Sequence, residues 1–417
     1  MPGDDAVLRP ASPSALTLEL AYDDAPLRAA PGDTVSAALL RAGRVATGRS
    51  LKFRRPRGPF CLQGDCGTCL LRVDGEPNLR ACTTRVRAGM QLQSQNRVLP
   101  RGPDPTALVD TVFAAGMDHH HFMVRPRLVN TIMQEVARNL AGLGTLPDAP
   151  SEPPAPPRHE APQVLVVGAG PAGLAVLRRL RRAGLAAVCV ERLDRDGARA
   201  RCGDDDAEVR YDTAVFGLYP REHGGGVVAA RVHDGDARGI VTFAPRHLVL
   251  ATGTRDVIVP LRNNDLPGVL AARGLASLLR RTGDTLAVPG VVVGEGERAT
   301  ALARQLRLEL LAPTAVEAVL GGARVEAIAT REGRRELGVV ALAGTPAPAS
   351  ELARQCGARV RWADAGFVVA RDETGRAAAD TWTTWACGEV CGVAERDAAD
   401  DGERVAEALL AAIGRAP

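Results

Sequence analysis

The chain of 417 residues is almost without lysine: Lys52 is the only one, so arginine carries nearly all of the positive charge. Spread along the whole sequence, that arginine reads as a compositional bias and not as a binding patch. Aromatic residues make up only 3% of the chain, too few to stack nucleic-acid bases, and a formal net charge of +3 gives no reason to expect a polyanionic partner. No apolar run reaches the length of about 18 residues that a membrane span needs. The first residues, MPGDDAVLRP, lack the basic and apolar regions of a secretory signal, so a cytoplasmic protein is expected. A G-x-S-x-G elbow and a Cys–His nucleophile signature are also missing, and no catalytic residue is assigned from sequence.

Cysteine is present in an odd number, nine. Five of them, Cys189, Cys202, Cys356, Cys387 and Cys391, are scattered, unlike a secreted disulfide scaffold. The other four are crowded. Cys61, Cys66, Cys69 and Cys82 follow the order C-x4-C-x2-C-x12-C, with Gly64 and Gly67 allowing tight backbone turns between the first three. This is the plant-type ligand pattern for a [2Fe–2S] cluster. Zinc sites prefer two paired C-x2-C knuckles, and only Cys66 and Cys69 form one. Zinc, disulfides and plain packing remain the alternatives.

Length and texture divide the chain. Residues 1–98 read as a small α+β unit. It has an alternating strand (Ala15 to Leu20), a helix after Asp33 or Thr34 as N-cap, the cysteine loop, and a hairpin turning at Asp74-Gly75 and leading to Cys82. Together these suit a β-grasp ferredoxin-like domain. Residues 99–162 form a connector with a helical rhythm from Arg127 to Leu140. It ends in the proline-rich stretch LPDAPSEPPAPPRHEAP, which favours extended chain. From Gln163 the texture is α/β, and the expected divisions are 163–283, a nested 284–370, and 371–417.

Val164-Leu165-Val166-Val167 is a continuous apolar run, as in a strand buried on both faces. It leads into Gly168-Ala169-Gly170-Pro171-Ala172-Gly173, then a helix, then a second strand ending at Glu191. Strand, G-x-G-x-x-G, helix, strand and acid form the Rossmann fingerprint. Gly168 allows the turn, Gly170 lets backbone approach a pyrophosphate, and Gly173 brings helix close to strand. The helix N-terminus offers free N–H groups to phosphate. Glu191 can accept hydrogen bonds from a ribose, and Arg192 beside it joins the candidate set.

A second, weaker motif runs from Val291 through Gly294-Glu295-Gly296 to Ala299, in the form G-x-G-x-x-A. Glu295 and Glu297 place negative charge where a pyrophosphate should sit. The next strand candidate, Leu308 to Ala312, ends at Pro313 without a ribose acid. NAD or another adenine nucleotide at Gly294–Gly296, and a retained but empty fold, are both open. The stretch His119-His120-His121 is the one histidine cluster. Adjacent positions cannot share a helix face, which argues against a tidy metal site.

Two later segments sharpen the reading. Leu248 to Gly253 is an apolar strand ending in A-T-G, and Cys387-Gly388-Glu389 precedes a helical stretch from Gly402 to Ile413. Together with the fingerprint they resemble the two-dinucleotide-binding flavoproteins. That resemblance implies FAD, with Thr252, Gly253, Gly388 and Glu389 beside it. Glu389 stands where the family has aspartate. Further echoes are Phe53-Arg54-Arg55-Pro56-Arg57-Gly58, Thr213 to Tyr219, and Asn263 to Val269.

With these, the chain resembles the α-type FAD/[2Fe–2S] subunits of heteromeric amine-oxidising flavoenzymes, the sarcosine oxidase α, opine oxidase, D-hydroxyproline dehydrogenase and hydrogen cyanide synthase group. The resemblance implies a role as an electron-transferring subunit. A second, flavin-containing subunit would oxidise a secondary amino acid, with small accessory subunits alongside. It also places Val215 along the adenine. The double glycine usual after the ribose acid is missing between Leu193 and Val209. A stand-alone NADH-dependent ferredoxin-type reductase and a non-catalytic assembly subunit are the competing functions.

Overall fold

A computed structural model describes residues 6–50, 55–96, 128, 130–131, 147–148, 156–202, 208–220, 225–234, 237–363, 366–379 and 382–414. Most of the connector stretch from Arg127 to Leu140, His119 to His121, and residues 146 and 149–155 of the proline-rich stretch lie outside the described residues. The chain divides into two compact units. One is Met1–Ser151 with Ile258–Gly344, the other Glu152–Val257 with Thr345–Pro417.

In the first unit, five strands form a sheet in the order Ala25–Ala29, Leu18–Tyr22, Gln91–Gln93, Leu70–Val73, Glu76–Arg80. Leu18–Tyr22 and Gln91–Gln93 run parallel and the other pairs antiparallel. The first strand starts later than its alternation predicts, because Pro13 opens a 3-10 turn over Pro13–Ala15. The hairpin turns on Asp74 and Gly75, both at positive φ (48° and 81°), as a primed two-residue turn requires. Helix Val35–Arg41 is capped by Thr34, whose hydroxyl accepts from the Ala37 amide at 3.4 Å. Leu20, Leu39, Leu71 and Leu92 fill the core between helix and sheet.

The same unit contains a four-stranded, all-parallel sheet in the order Val269–Ala271, Val339–Ala343, Gly290–Gly294, Glu309–Leu311. This sheet takes in Val269–Ala271 and helix Ala272–Thr282, upstream of the expected start at 284. The reason is packing: Leu270, Leu275 and Leu278 share one core with Val292, Val339 and Ala341. Val7, Leu8 and Leu40 belong to that core as well, and Leu8–Arg9 pairs antiparallel with Thr285–Leu286. Beside this seam Arg41 is buried. It donates to Asp284 at 2.7 Å and forms a forked pair with Asp33.

In the second unit, six strands lie in the order Val209–Arg210, Ala187–Val190, Val164–Val167, His247–Leu250, Thr383–Ala386, Arg376–Ala377. All neighbours are parallel except the last pair. Both faces are covered, which is why Val164–Val167 could be apolar throughout. Helix Pro171–Arg182 and the C-terminal helix Ala398–Gly414 pack together on one face. Their approach is close: a Cβ on Gly402 would lie 2.3 Å from the Ala172 carbonyl oxygen. The other face carries the antiparallel strands Thr213–Pro220, Gly226–Asp234 and Ala237–Phe243, edged by Arg158–Glu160. Among the described residues no helix is long and apolar enough to cross a membrane.

Candidate redox sites

Two sets of chemistry-bearing residues stand out, one in each unit. The first is the cysteine loop. Leu62, Gly64 and Gly67 all have positive φ (56°, 82° and 68°), and these left-handed residues curl the chain around its own sulfurs. Cys61, Cys69 and Cys82 are buried, while Cys66 is exposed. The Cys61 sulfur accepts from the amides of Asp65 (3.2 Å), Cys66 (3.4 Å) and Gln63 (3.5 Å). The Ala81 amide donates to the Cys69 carbonyl at 3.1 Å, and this bond carries Cys82 back beside Cys69.

The thiols touch one another and divide their protons unequally. Cys61 is held far below the ordinary thiol range, first by the hydrogen bond from Cys66 and then by that from Cys82. Cys69 is lowered chiefly by Cys82. Cys66 is raised by its bond to Cys61, and Cys82 by its bonds to Cys61 and Cys69. Cys82 thus acts on both Cys61 and Cys69, and Cys66 acts on Cys61. Among the described residues no three His, Cys, Asp or Glu converge closely enough to hold a metal ion as they stand. The amides aimed at the Cys61 sulfur supply the hydrogen bonds that iron–sulfur centres use.

The second set is the glycine turn of the six-stranded sheet. Gly168 sits at φ +103°, where a Cβ would lie 2.3 Å from the Ala251 carbonyl oxygen. A Cβ on Gly173 would lie 1.9 Å from the Gly168 carbonyl oxygen, so a side chain there drives helix from strand. Gly170 is different: a Cβ there meets nothing within 4 Å. The space above it is open, in front of a helix whose first position is Pro171, which has no N–H to lose. This is the room and the donor set that a pyrophosphate needs.

Glu191 faces the turn. Its carboxylate accepts from the Ala169 amide at 2.9 Å and from the Leu193 amide at 3.0 Å. Arg192 follows it, half-buried. Thr252 donates to the Ala349 carbonyl at 2.7 Å, and Gly253 has φ +65°. The late turn comes to the same place. Gly388, at φ +76°, lies where a Cβ would be 2.8 Å from the Ala172 Cβ. Glu389 accepts from the Thr254 hydroxyl at 3.4 Å, and its carboxylate is 3.9 Å from where a Gly253 Cβ would stand. Gly168 to Gly173, Glu191, Thr252, Gly253, Gly388 and Glu389 thus gather at the strand ends of one sheet. Val215 stands on the antiparallel layer, at a bulge before Gly217.

Sequence reasoning missed what fixes the late turn. Asp401, in the first turn of the C-terminal helix, accepts from the Gly388 amide at 2.8 Å. Arg371 bridges Asp401 (2.7 Å) and the Ala386 carbonyl (2.8 Å), and Arg404 adds a bond to Asp401 at 2.5 Å. The acidic start of a C-terminal helix was the only sequence signal. Cys387 and Cys391 flank this turn, but burial pushes the Cys387 thiol up and the Cys391 thiol to about 12, so neither is an activated nucleophile.

In the nested sheet, strand Gly290–Gly294 runs into helix Gly296–Leu306 with Glu295 at the N-cap and Glu297 in the first turn. The following strand, Glu309–Leu311, ends without an acid for a ribose.

Comparison with known proteins agrees with this geometry. Residues 15–97 match the model of a 2Fe–2S iron–sulfur cluster binding domain, and residues 166–235 match that of an NAD(P)-binding Rossmann-like domain. The chain is 28% identical over 302 residues to the sarcosine oxidase subunit alpha of Rhizobium meliloti, covering 64% of this chain and 30% of that protein. It therefore spans about a third of that relative's length. The hydrogen cyanide synthase subunit HcnA of Pseudomonas aeruginosa is 35% identical over 89 residues, 21% of this chain and 83% of HcnA. Among solved structures, the L-proline dehydrogenase of P. horikoshii superposes with a TM-score of 0.70 at 17% identity, over 95% of this chain and 74% of that one. That likeness establishes the fold.

Proposed function

We propose, for a chain that belongs to the α-type FAD/[2Fe–2S] subunits of heteromeric amine-oxidising flavoenzymes, that it passes electrons between a flavin in its six-stranded sheet and an iron–sulfur centre in its cysteine loop. The observation that carries this is the pairing, in one chain, of four crowded thiols with a dinucleotide turn open at Gly170. Bound FAD would supply a two-electron acceptor, and a bound cluster a one-electron carrier.

The chain's residues do the holding. Cys61, Cys66, Cys69 and Cys82 would ligate iron, and the amides of Gln63, Asp65 and Cys66 would stabilise charge on the Cys61 sulfur. The N–H groups at the start of helix Pro171–Arg182 would receive the pyrophosphate. Glu191 would take the ribose, and Gly388–Glu389, braced by Asp401, would border the rest of the ligand. Substrate oxidation would fall to a separate flavin-containing subunit in a cytoplasmic assembly, with small accessory subunits. A secondary amino acid such as sarcosine or proline is the substrate class, as the names of the relatives suggest.

Glu295 and Glu297 at the nested turn speak against the stand-alone NADH-dependent reductase, because both repel a pyrophosphate. The test is anaerobic reduction followed at the flavin band. With its co-purified partners the chain is expected to bleach on addition of the amino acid, and alone it is expected to stay oxidised with NADH. Rapid bleaching of the isolated chain by NADH would establish the reductase instead.

A further inference from the structure

The four candidate ligands are not set in one hydrophobic core. Cys69 and Cys82 belong to the core of the five-stranded sheet, with Leu71, Ala81 and Leu92. Cys61 and its neighbour Phe60 belong to the core of the nested parallel sheet, with Val269, Ala271, Val291 and Val340. The Ala271 amide donates to the Phe60 carbonyl at 2.9 Å, extending the nested strand onto the cysteine loop. One turn later the helix Ala272–Thr282 meets the loop at Gly274. A Cβ built there would lie 2.0 Å from the Cys61 carbonyl oxygen, 2.9 Å from its carbonyl carbon and 3.3 Å from the Leu62 Cβ. Since Gly274 lies inside a helix, its conformation is open to any residue, and glycine's helix-weakening cost of about 1 kcal/mol needs another reason. The reason is contact with the ligand's own backbone.

We propose that Gly274 is a positioning residue of the iron–sulfur centre, and that the nested nucleotide-type domain serves as half of the cluster's seat. The proposal rests on the reading of the four cysteines as cluster ligands. Helix Ala272–Thr282 sets the height of the Cys61 loop, and with it the distance from Cys61 to Cys69 and Cys82 in the other core. The residues that would hold a cluster then come from both cores. Any side chain at 274 lifts Cys61 away from Cys69 and Cys82 without touching a single sulfur.

The experiment uses the full chain isolated without air, as wild type and as Gly274→Ala. The Gly274→Ala protein is expected to keep its flavin content but to carry at least fivefold less iron and acid-labile sulfide per flavin. Any remaining dithionite-reduced EPR signal should be shifted from that of the wild type. An unchanged iron-to-flavin ratio with an unchanged EPR spectrum overturns the proposal. Wild type without iron overturns the cluster reading itself, which is a separate result. Should Gly274→Ala fail to fold, hydrogen exchange of the wild type before and after iron removal by chelator decides. Loss of protection in Val269–Ala271 and Ala272–Thr282 on iron removal is expected. Loss confined to the Leu70–Arg80 hairpin overturns the proposal.

Discussion

Asp401 accepts a 2.8 Å hydrogen bond from the Gly388 amide, and so ties the C-terminal helix to the glycine–acid turn beside Ala172. Burial alone would raise this carboxyl. The bonds from Arg371, the Gly388 amide and Arg404 outweigh it and hold Asp401 below the usual carboxylate range. A carboxyl lowered on folding stabilises the native state above its ordinary value of about 3.9. That contribution is lost as the pH falls below the ordinary value and through the lower folded one. Asp401→Asn should therefore cost about 1.5–3 kcal/mol at neutral pH, the loss of a charged hydrogen-bond set. The gap to wild type should shrink once the pH falls below about 4. Thermal unfolding across that range is the check; a gap independent of pH would mean that Asp401 is not the group responsible.

Gly170 and Gly173 sit three residues apart but should respond differently to alanine. At Gly170 the added methyl meets only open space, so Gly170→Ala should fold with stability within about 0.5 kcal/mol of wild type. It should nevertheless lose flavin at least tenfold more readily, because the methyl occupies the room of the pyrophosphate. At Gly173 the methyl strikes the Gly168 carbonyl, so Gly173→Ala should lower both stability and flavin content. Equal flavin retention by Gly170→Ala and wild type, measured by equilibrium dialysis, would remove the pyrophosphate from this turn.

Much of this was legible from sequence where the signal is local. Asp74-Gly75 announced a hairpin because two positive φ angles demand such residues, and Val164–Val167 announced a doubly covered strand by lacking any polar position. The glycine turn, its helix and its acid lie within one continuous stretch. Long-range partners left no such trace. Nothing near Gly388 points to Asp401, and Gly274 looks like an ordinary weak point in a helix until Cys61 is placed against it. Arg41 directly follows the helix-like stretch Val35 to Leu40, and its partner Asp284 lies 243 residues away.

That buried triad carries its own prediction. Arg41 is held protonated: burial opposes the charge, but the bonds to Asp284 and Asp33 more than offset it. Side-chain exposures of 6%, 5% and 1% for Arg41, Asp33 and Asp284 mean that losing the arginine leaves two carboxylates buried without it. Arg41→Met is expected to destabilise the first unit by about 3–5 kcal/mol in denaturant unfolding. A loss below about 1 kcal/mol would show that water reaches the carboxylates, as at an exposed pair.

The nine cysteines should separate by reactivity. In the folded, iron-stripped protein near neutral pH, Cys66 should be alkylated before Cys61, Cys69 and Cys82, since it is exposed and they are buried. Cys387 and Cys391, raised by burial, should react only on unfolding. Peptide mass mapping after a short iodoacetamide pulse reads this directly. Early labelling of Cys387 or Cys391 would point to a reactive pair at the late turn.

The central claim is that this polypeptide holds two redox centres, one in each unit. Its most direct test is quantification of iron, acid-labile sulfide and flavin in the full chain purified without air. About two irons, two sulfides and one FAD per chain are expected. Protein that is soluble and folded yet contains neither iron nor flavin contradicts the account.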